Sequence, residues 1–341
     1  MNEPVNVALI GLGRMGKIYA RTIDRMNDAR LTAVASLDID DQQQMLSEID
    51  VAHQFKSADA AFELEAVDAV IIATPTSTHA DFVIRAASAG KAIFCEKPLA
   101  LSLEDTRRML DAVDQADVPL QVGFMRRFDE RFASAKSTIA SGRIGRPITF
   151  KGVGRDPFCP DPTYADPRHS GGLIMDMAIH DFDLARWLLA SEVVRVSAEG
   201  TNLVCDELRA VGDFDNAVVN LRFATGAIGS VEVSRNASYG YDIRAEVLGS
   251  RSAVRVGHAD YGTRPQPRPV DHGEHYLTHR FGPAYRKQIR HFVDCVRRGI
   301  EPKPSGRDAL AAFEIALAAT YAAATGGPVT LEAIRTGWTP T

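Results

Sequence analysis

The sequence predicts two domains: an α/β N-terminal domain with a doubly wound parallel sheet, and an α+β C-terminal domain with an open, mainly antiparallel sheet. In the first third of the chain, short strands that are apolar throughout alternate with helical segments, which is typical of a parallel sheet covered on both faces. Beyond Arg195 the strands are longer and alternate in polarity. A chain of 341 residues also exceeds the usual size of one domain.

The predicted boundary gives domains 1–124 and 125–341, with the C-terminal helices able to pack back on the first domain. In the first domain, the pattern predicts strands over 5–10, 31–36, 69–73, 92–95 and 120–123. Helical patterns lie between them, over 14–27, 77–89 and 102–116. Such an alternation of strands and helices is typical of a doubly wound sheet.

In the second domain, strands are predicted over 217–223, 227–234, 241–248 and 253–256, arranged as a meander with one buried face. A helix over 171–189 is expected to pack on that face. Residues 257–282 are predicted to form a long loop, followed by helices over 284–298 and 307–324.

Composition excludes several classes of function. The net charge is −5 and no basic block stands out, so we expect neither nucleic acid nor a membrane as a partner. No secretory signal is evident at the N-terminus. The four cysteines contain no Cys-x-x-Cys pair, which favours reduced thiols and a cytoplasmic location over a disulfide framework or a zinc site.

A glycine-rich turn follows the first strand directly. Its sequence, Gly11-Leu12-Gly13-Arg14-Met15-Gly16, also opens the first helix. The strand, turn and helix together predict a Rossmann-type loop, in which a pyrophosphate lies at the helix N-terminus. A turn without a ligand is the alternative.

The end of the second strand bears on the choice between NAD and NADP. An acidic residue there binds the ribose 2′-hydroxyl and repels a 2′-phosphate. Ser36 occupies this position, Asp38 follows two residues later, and Arg14 could pair with a 2′-phosphate. We place NADP or dual use slightly ahead of NAD. The alternative is that Asp38 binds the ribose and Arg14 is solvated.

Two segments carry groups suited to proton transfer. Asp176 and His180 are four residues apart in a helical pattern, so a regular helix would place them on one face. Lys97 follows the strand 92–95, at the carboxyl edge where parallel sheets bind ligands. Pro98 suggests a cis peptide bond after Lys97. The structural alternatives are a core histidine and a surface lysine.

Several segments together resemble the Gfo/Idh/MocA oxidoreductases from residue 5 to about residue 325. They are the glycine loop, Ala73-Thr74-Pro75 with His79, Cys95-Glu96-Lys97-Pro98-Leu99, and the segment carrying Asp176 and His180. Within that family the likeness is strongest to enzymes that oxidise inositol. It is carried by Gln121-Val122-Gly123-Phe124-Met125-Arg126-Arg127-Phe128-Asp129, by residues 177–186 and by Tyr239-Gly240-Tyr241-Asp242-Ile243.

The resemblance implies an NAD(P)-dependent dehydrogenase that oxidises a ring hydroxyl of a cyclic polyol, with myo- or scyllo-inositol expected. Lys97, Asp176 and His180 would be catalytic, and His180 would remove the hydroxyl proton. The implied cofactor contacts are Gly11, Gly13, Arg14, Met15, Gly16, Ser36, Asp38, Thr74, Pro75, His79, Glu96 and Lys97. The implied substrate contacts are Lys97, Arg127, Asp156, Asp176, His180, Tyr239 and Tyr285.

Two rival functions and several structural alternatives stay open. The rivals are an aldose or anhydrosugar dehydrogenase of the same family and a non-catalytic protein that senses NAD(P). Arg127, Asp156, Tyr239 and Tyr285 could serve packing alone. Surface pairs are expected for Asp181, Asp183 and Arg186. No metal site is expected, and His272, His275 and His279 suit a loop or a subunit contact better than a metal. An exposed apolar sheet face predicts a homodimer or homotetramer.

Overall fold

The computed structural model describes residues 3–257 and 275–340, without the side chain of His275. The chain divides into two compact units. Unit 1 comprises Met1–Phe128 and Phe281–Leu310, and unit 2 comprises Asp129–Arg280 and Ala311–Thr341. The first boundary lies four residues after the predicted one (128 against 124). A segment of the C-terminal part of the chain, Phe281–Leu310, belongs to unit 1.

Unit 1 is built on a six-stranded sheet, in which every pairing is parallel. Its strand order is β3-β2-β1-β4-β5-β6, which confirms the doubly wound fold. The strands are β1 (Val5–Ile10), β2 (Ala29–Ala35), β3 (His53–Phe55), β4 (Ala69–Ile72), β5 (Ala92–Cys95) and β6 (Leu120–Val122). The intervening helices are α1 (Arg14–Ile23), α2 (Gln43–Leu46), α3 (Ala58–Phe62), α4 (His79–Ser88) and α5 (Leu103–Ala116).

The sequence explains where these elements lie. Every residue of β4 and β5 is buried, as expected for strands covered on both faces. The side chain of Ser102 accepts a hydrogen bond from the Asp105 amide and so caps α5, which typically stabilises a helix by about 1 kcal/mol. The short strand β3, with exposed His53 and Gln54, is absent from the prediction.

Unit 2 is built on a seven-stranded sheet with the order β12-β11-β7-β10-β9-β8-β13. Its strands are β7 (Pro147–Arg155), β8 (Val193–Thr201), β9 (Asn216–Phe223), β10 (Ile228–Ser234), β11 (Asp242–Gly249), β12 (Ala253–Val256) and β13 (Val329–Thr330). All pairings are antiparallel except that of β7 with β10. The mainly antiparallel sheet is confirmed. The predicted meander is wrong, because β7 lies between β10 and β11.

The remaining helices are α6 (Glu130–Ala140), α7 (Pro162–Ala165), α8 (Pro167–Ser170), α9 (Ile179–Leu189), α10 (His275–Arg298), α11 (Gly306–Thr325) and α12 (Leu331–Arg335). Helix α10 begins nine residues before the predicted position (275 against 284), so the predicted loop is wrong over 275–282. Residues 258–274 of that loop, including His272, lie outside the described residues.

The predicted helix over 171–189 is interrupted. A π-helical turn, Ile174–Ala178, precedes α9 and contains Asp176. A π-turn pairs residues five apart rather than four, and such turns are frequent at functional sites. Helix α9 packs against β7 and β10, and Phe182 and Leu184 are fully buried. Full burial of such a side chain contributes roughly 1.5–3 kcal/mol to stability.

The cysteine prediction is half wrong. Cys159 and Cys205 form a disulfide within unit 2, with their Cα atoms 5.8 Å apart. Cys95 and Cys295 are free and buried. Spacing alone gave no sign of the bond, because its cysteines are 46 residues apart. The cytoplasmic location stays a prediction. In the described part of the chain, no helix is long and apolar enough to cross a membrane.

Candidate active site

The glycine turn after β1 has the close contacts that a nucleotide loop requires. Gly11 adopts a φ of +96°, and a Cβ there would lie 2.7 Å from the carbonyl oxygen of Ala73. A Cβ on Gly16 would collide with the backbone of Gly11. At Gly13, by contrast, a Cβ would meet no described atom within 4 Å. Gly11 and Gly16 therefore serve close packing, while Gly13 leaves open space at the N-terminus of α1.

The turn lies where the strand order of unit 1 reverses, between β1 and β4. In open α/β sheets, ligands bind at this reversal. Thr74 follows β4, and its hydroxyl is 2.7 Å from that of Thr78. The ring nitrogens of buried His79 are each 2.9 Å from a carbonyl oxygen, those of Pro98 and Thr74. His79 therefore joins the segments after β4 and β5, which favours positioning over direct contact with a cofactor.

Asp38 is held at the carboxyl end of β2. Its carboxylate accepts hydrogen bonds from the Ser36 hydroxyl and from Gln42 Nε2, the latter at 3.0 Å. The Ser36 bond is the main reason that the pKa of Asp38 is lowered. Asp38 therefore presents an exposed negative charge in the place where an acidic residue binds an adenosine ribose.

A buried polar group lies behind Lys97 at the end of β5. The Tyr19 hydroxyl donates to the Glu96 carboxylate, and Gln288 Nε2 donates to the Tyr19 oxygen at 2.9 Å. The Lys97 amide donates to Glu96 Oε2 at 3.2 Å. Burial raises the pKa of Glu96, while the Tyr19 bond and the Lys97 charge oppose that rise. The Lys97–Pro98 peptide is cis, as predicted.

The residues of unit 1 fit a dinucleotide. The open space at Gly13, the N-terminus of α1 and the carboxylate of Asp38 follow β1 and β2, which are neighbouring strands. Backbone amides at a helix N-terminus suit a pyrophosphate, and a carboxylate suits a ribose hydroxyl. Arg14 and Met15 are the first two residues of α1; Arg14 is exposed and Met15 is half-buried. Pro75, also predicted to contact the cofactor, follows Thr74.

In unit 2, Asp176 lies in the π-turn and its side chain is 15% exposed. Its Oδ2 atom is 3.4 Å from the Tyr164 hydroxyl and 3.5 Å from Arg235 Nη2. Tyr164 is 53% exposed, whereas Arg235 is 2% exposed. The Asp176 carboxylate is therefore accessible on the side of Tyr164 and backed by a buried cation.

His180 is half-buried and lies in the first turn of α9, just after the π-turn. Its neighbours correct one prediction. Asp181 and Asp183 are buried, at 0% and 1% exposure, so they do not form surface pairs. Arg186 pairs with Glu192, with both N–O distances at 2.7 Å.

The other predicted substrate contacts fall in both units. Arg127 Nη2 donates to Asp308 Oδ1 at 3.0 Å in unit 1, and Tyr285 is 5% exposed there and packs on Tyr19. In unit 2, the Tyr239 hydroxyl accepts from Arg155 Nη1 at 2.6 Å and donates to Asp242 at 2.7 Å. These contacts favour structural roles for Arg127, Tyr285 and Tyr239.

Asp156 directly follows β7, and its backbone is fixed in unit 2. Its amide donates to Ser234 O and its carbonyl accepts from the Ala237 amide, each at 2.8 Å. Unit 2 thus holds Asp156, Asp176, His180 and Tyr239, whereas Lys97, Arg127 and Tyr285 belong to unit 1.

Sequence reasoning missed Tyr164, Arg235 and Asp213, which surround Asp176, and Tyr19, which binds Glu96. The sequence offered one usable signal, the charged residue Arg235 directly after the last residue of β10, Ser234. In the described ranges, no group of three His, Cys, Asp or Glu side chains is arranged to hold a metal ion.

Comparisons with known proteins agree on one family. A model described as "Oxidoreductase family, NAD-binding Rossmann fold" matches residues 5–124, and one described as "GFO/IDH/MocA C-terminal domain" matches residues 132–255. The scyllo-inositol 2-dehydrogenase (NAD(+)) of Bacillus subtilis is 38% identical over 98% of both chains. The myo-inositol 2-dehydrogenase of Thermotoga maritima is 39% identical over 92% of this chain and 95% of its own.

A solved structure adds a ligand-bound relative. Scyllo-inositol dehydrogenase from Lactobacillus casei, with bound NAD(H) and scyllo-inositol, superimposes with a TM-score of 0.88 at 27% identity. The match covers 97% of this chain and 100% of that one.

Proposed function

The chain belongs to the Gfo/Idh/MocA family of oxidoreductases, and on that basis we propose that it is an NAD-dependent inositol dehydrogenase. It oxidises a ring hydroxyl of myo- or scyllo-inositol to the corresponding inosose. The observation that carries this proposal is the likeness over 98% of both chains to a scyllo-inositol 2-dehydrogenase. The accessible carboxylate of Asp176, one turn before His180, supports it chemically.

Each catalytic residue has a definite task in this proposal. His180 removes the proton of the hydroxyl that is oxidised, since electron density on oxygen favours departure of the hydride. Asp176 accepts a hydrogen bond from the substrate and orients the ring. Lys97 takes part in the same reaction by donating to the reacting oxygen as negative charge develops on it. The nicotinamide, when bound, accepts the hydride.

We propose further that NAD is the main cofactor. The sequence placed NADP or dual use slightly ahead because of Ser36 and Arg14, and that preference stays untested. The geometry of Asp38 supports NAD instead, because Ser36 and Gln42 hold its carboxylate ionised at the end of β2. A fixed anion there binds a ribose hydroxyl and repels a 2′-phosphate.

The test is a side-by-side assay of NAD and NADP with myo-inositol, scyllo-inositol and glucose, following the absorbance of the reduced nicotinamide. We expect turnover with an inositol and NAD. Turnover with glucose or an anhydrosugar but with neither inositol would replace the proposal by the aldose or anhydrosugar function. Tight dinucleotide binding without turnover of any polyol or sugar would favour the sensing function.

We also propose a homodimer or homotetramer formed through the open face of the unit 2 sheet. Val218, Ile228 and Leu248 lie on β9, β10 and β11 and are 46%, 48% and 42% exposed. β9 and β10 are adjacent, and β7 separates β10 from β11, so the three apolar side chains are spread over one face of the sheet, and an exposed apolar face suits association. Val218→Glu should lower the mass measured by light scattering. An unchanged oligomer, or a monomeric wild-type protein, would contradict this interface.

A further inference from the structure

Asp176 shares a buried cation with a second carboxylate. Arg235 Nη2 is 3.5 Å from Asp176 Oδ2, and Arg235 Nη1 is 2.9 Å from Asp213 Oδ2. The side chains of Arg235 and Asp213 are 2% and 4% exposed. Buried charges of this kind are maintained only where they are paired. The three side chains therefore form one ionic group, with Asp176 as its accessible end.

Asp213 also fixes the backbone that leads into the π-turn. Its Oδ1 atom accepts a hydrogen bond from the Leu173 amide at 2.9 Å. Gly172 has a φ of +77°, and a Cβ there would lie 2.7 Å from that same oxygen. The lack of a side chain at Gly172 thus allows Asp213 to reach Leu173, three residues before Asp176.

Arg235 is fixed at its own backbone as well. It directly follows β10, and its amide donates to the Asp215 carbonyl at 2.9 Å. The Asp215 carboxylate in turn accepts from the amides of Leu203, Val204 and Cys205, at 2.6–2.9 Å. The backbone of Arg235 is therefore fixed by a network that does not involve Asp176.

We propose that Arg235 is a positioning residue of the reaction, which keeps Asp176 ionised and oriented towards the substrate. Asp213 competes with Asp176 for the positive charge of Arg235. This inference rests on the proposed function, because it assigns the supporting residues of the same site. In this role neither Arg235 nor Asp213 has to contact the substrate.

The electrostatics of the group set the direction of the expected effects. Burial raises the pKa of Asp213, Arg235 opposes that rise, and the negative charge of Asp176 adds to it. The two carboxylates therefore repel each other across the guanidinium. Loss of Arg235 leaves two anions without their shared cation and favours protonation of Asp176, whereas loss of the Asp213 charge has the opposite effect.

The charged and titratable groups recorded around Asp176 in the described part of unit 2 come from several elements. Arg235 follows β10, Asp213 precedes β9 and Tyr164 belongs to α7. His180 lies on the following turn of the same helical segment. Because Tyr164 and His180 are unchanged in the variants below, a shift of opposite sign in two of them isolates the Arg235–Asp213 pair.

The test measures kcat/KM against pH for the wild type, Arg235→Lys, Arg235→Gln and Asp213→Asn. In Arg235→Gln we expect kcat/KM to fall about 100-fold and the acid limb of the profile to move up by about one pH unit. Asp213→Asn should move that limb down, and Arg235→Lys should keep it near the wild-type position. Because the base His180 must also be neutral, the acid limb follows whichever of His180 and Asp176 titrates higher. Limbs that coincide in all four proteins, together with an unshifted Asp176 titration, would overturn the proposal.

Two further variants guard against a simple loss of folding. Arg235→Gln combined with Asp213→Asn leaves no unpaired charge buried between them, so it should fold and place the acid limb between those of the single variants. Arg335→Gln is the matched control, because Arg335 also pairs with a buried carboxylate of unit 2, Glu314, at 2.8 Å. Its pH profile should equal that of the wild type.

A readout without turnover separates this inference from the proposed function. Aspartate carboxyl carbons labelled with ¹³C titrate visibly in NMR spectra, and Asp176→Asn assigns the relevant signal. The Asp176 titration should move up in Arg235→Gln and down in Asp213→Asn. If no inositol were oxidised, the proposed function would fail while this titration still decided the role of Arg235. An Asp176 titration unaffected by either substitution would refute that role.

Discussion

The Ser36 hydroxyl donates a hydrogen bond to the Asp38 carboxylate, so the two residues that bear on cofactor choice act as one group. Asp38→Asn should weaken the binding of NAD and raise the KM for NAD by about 10-fold, because a hydrogen bond to a charged group contributes roughly 1.5–3 kcal/mol. The KM for NADP should rise less than that for NAD, or should fall. Initial rates at varied NAD and NADP measure both effects.

Asp40→Asn is the control for this experiment. Asp40 is exposed, lies two residues further on and pairs with Lys56 at 2.5 Å. Its removal should leave both KM values unchanged. A wild-type preference for NADP would favour the role of Arg14 and Ser36 in binding a 2′-phosphate. Equal losses of NAD affinity in the two variants would show that Asp38 is not a specific ribose contact.

Removal of the proposed base should abolish most turnover. His180→Gln is expected to lower kcat by about 1,000-fold, since a positioned base contributes 10²–10⁴-fold, while NAD still binds with wild-type affinity. Steady-state rates and calorimetric titration with NAD measure the two quantities. His169→Gln, an exposed histidine of unit 2, should behave as the wild type. Nearly intact turnover in His180→Gln would remove His180 from the mechanism.

Lys97→Ala tests the contribution of unit 1 to the chemistry. We expect kcat to fall by about 100-fold or more, because a donor aimed at a developing oxyanion is worth that much. NAD affinity should change far less than kcat. A loss confined to NAD affinity would instead make Lys97 a cofactor contact alone.

Glu96 should make stability depend on pH. Its pKa is raised by burial above the ordinary value of 4.5, so just above pH 4.5 the folded chain holds a proton that the unfolded chain has lost. Stability therefore falls as pH rises through this window and levels off above the folded pKa. Urea unfolding at several pH values should show a smaller fall in Glu96→Gln than in the wild type, because the raised pKa of Asp213 contributes in the same direction in both proteins.

Tyr19→Phe provides the matched comparison. The Tyr19 hydrogen bond lowers the pKa of Glu96, so its removal should extend the window to higher pH. Identical profiles for the wild type, Glu96→Gln and Tyr19→Phe would contradict the burial argument.

The disulfide should stabilise unit 2. Cys159 and Cys205 are 46 residues apart, and closing a loop of that length contributes up to about 4 kcal/mol in the chain-entropy account. Cys159→Ser should lower the midpoint of urea unfolding, and a dithiol reductant should do the same to the wild type only. Cys159 is suited to this test because it is exposed. Equal midpoints with and without reductant would show that the bond does not stabilise the fold.

The strands of unit 1 could be predicted because burial on both faces leaves a continuous apolar run. β1 and β5 begin and end where expected, at Val5–Ile10 and Ala92–Cys95. β7 could not be recognised in the same way, because its buried face carries Gly152 and Gly154. Two glycines give no hydrophobic pattern, and without β7 the strands on either side of it read as a meander.

Only those parts of the candidate site whose residues are close together in sequence could be predicted. Asp176 and His180 are near neighbours in sequence, and the glycine turn is continuous. Arg235 is 59 residues from Asp176, and their contact depends on how β10 pairs within the sheet. No local spacing encodes that pairing. The π-turn could not be predicted from the sequence either, because its residues have the same apolar pattern as an ordinary α-helix.

The single parallel pair of strands in unit 2 has a kinetic consequence. β7 and β10 pair in register from Thr149 with Ile228 to Arg155 with Ser234, so the connection formed by residues 156–227 must be closed before the two strands can pair. Contacts so distant in sequence slow folding. This connection carries Asp176, His180 and Asp213, and Arg235, directly after β10, can contact Asp176 only once β10 is paired in the sheet. A refolding chain should therefore acquire activity no earlier than the pairing of β10 with β7, so that the return of turnover reports that this part of the sheet has formed.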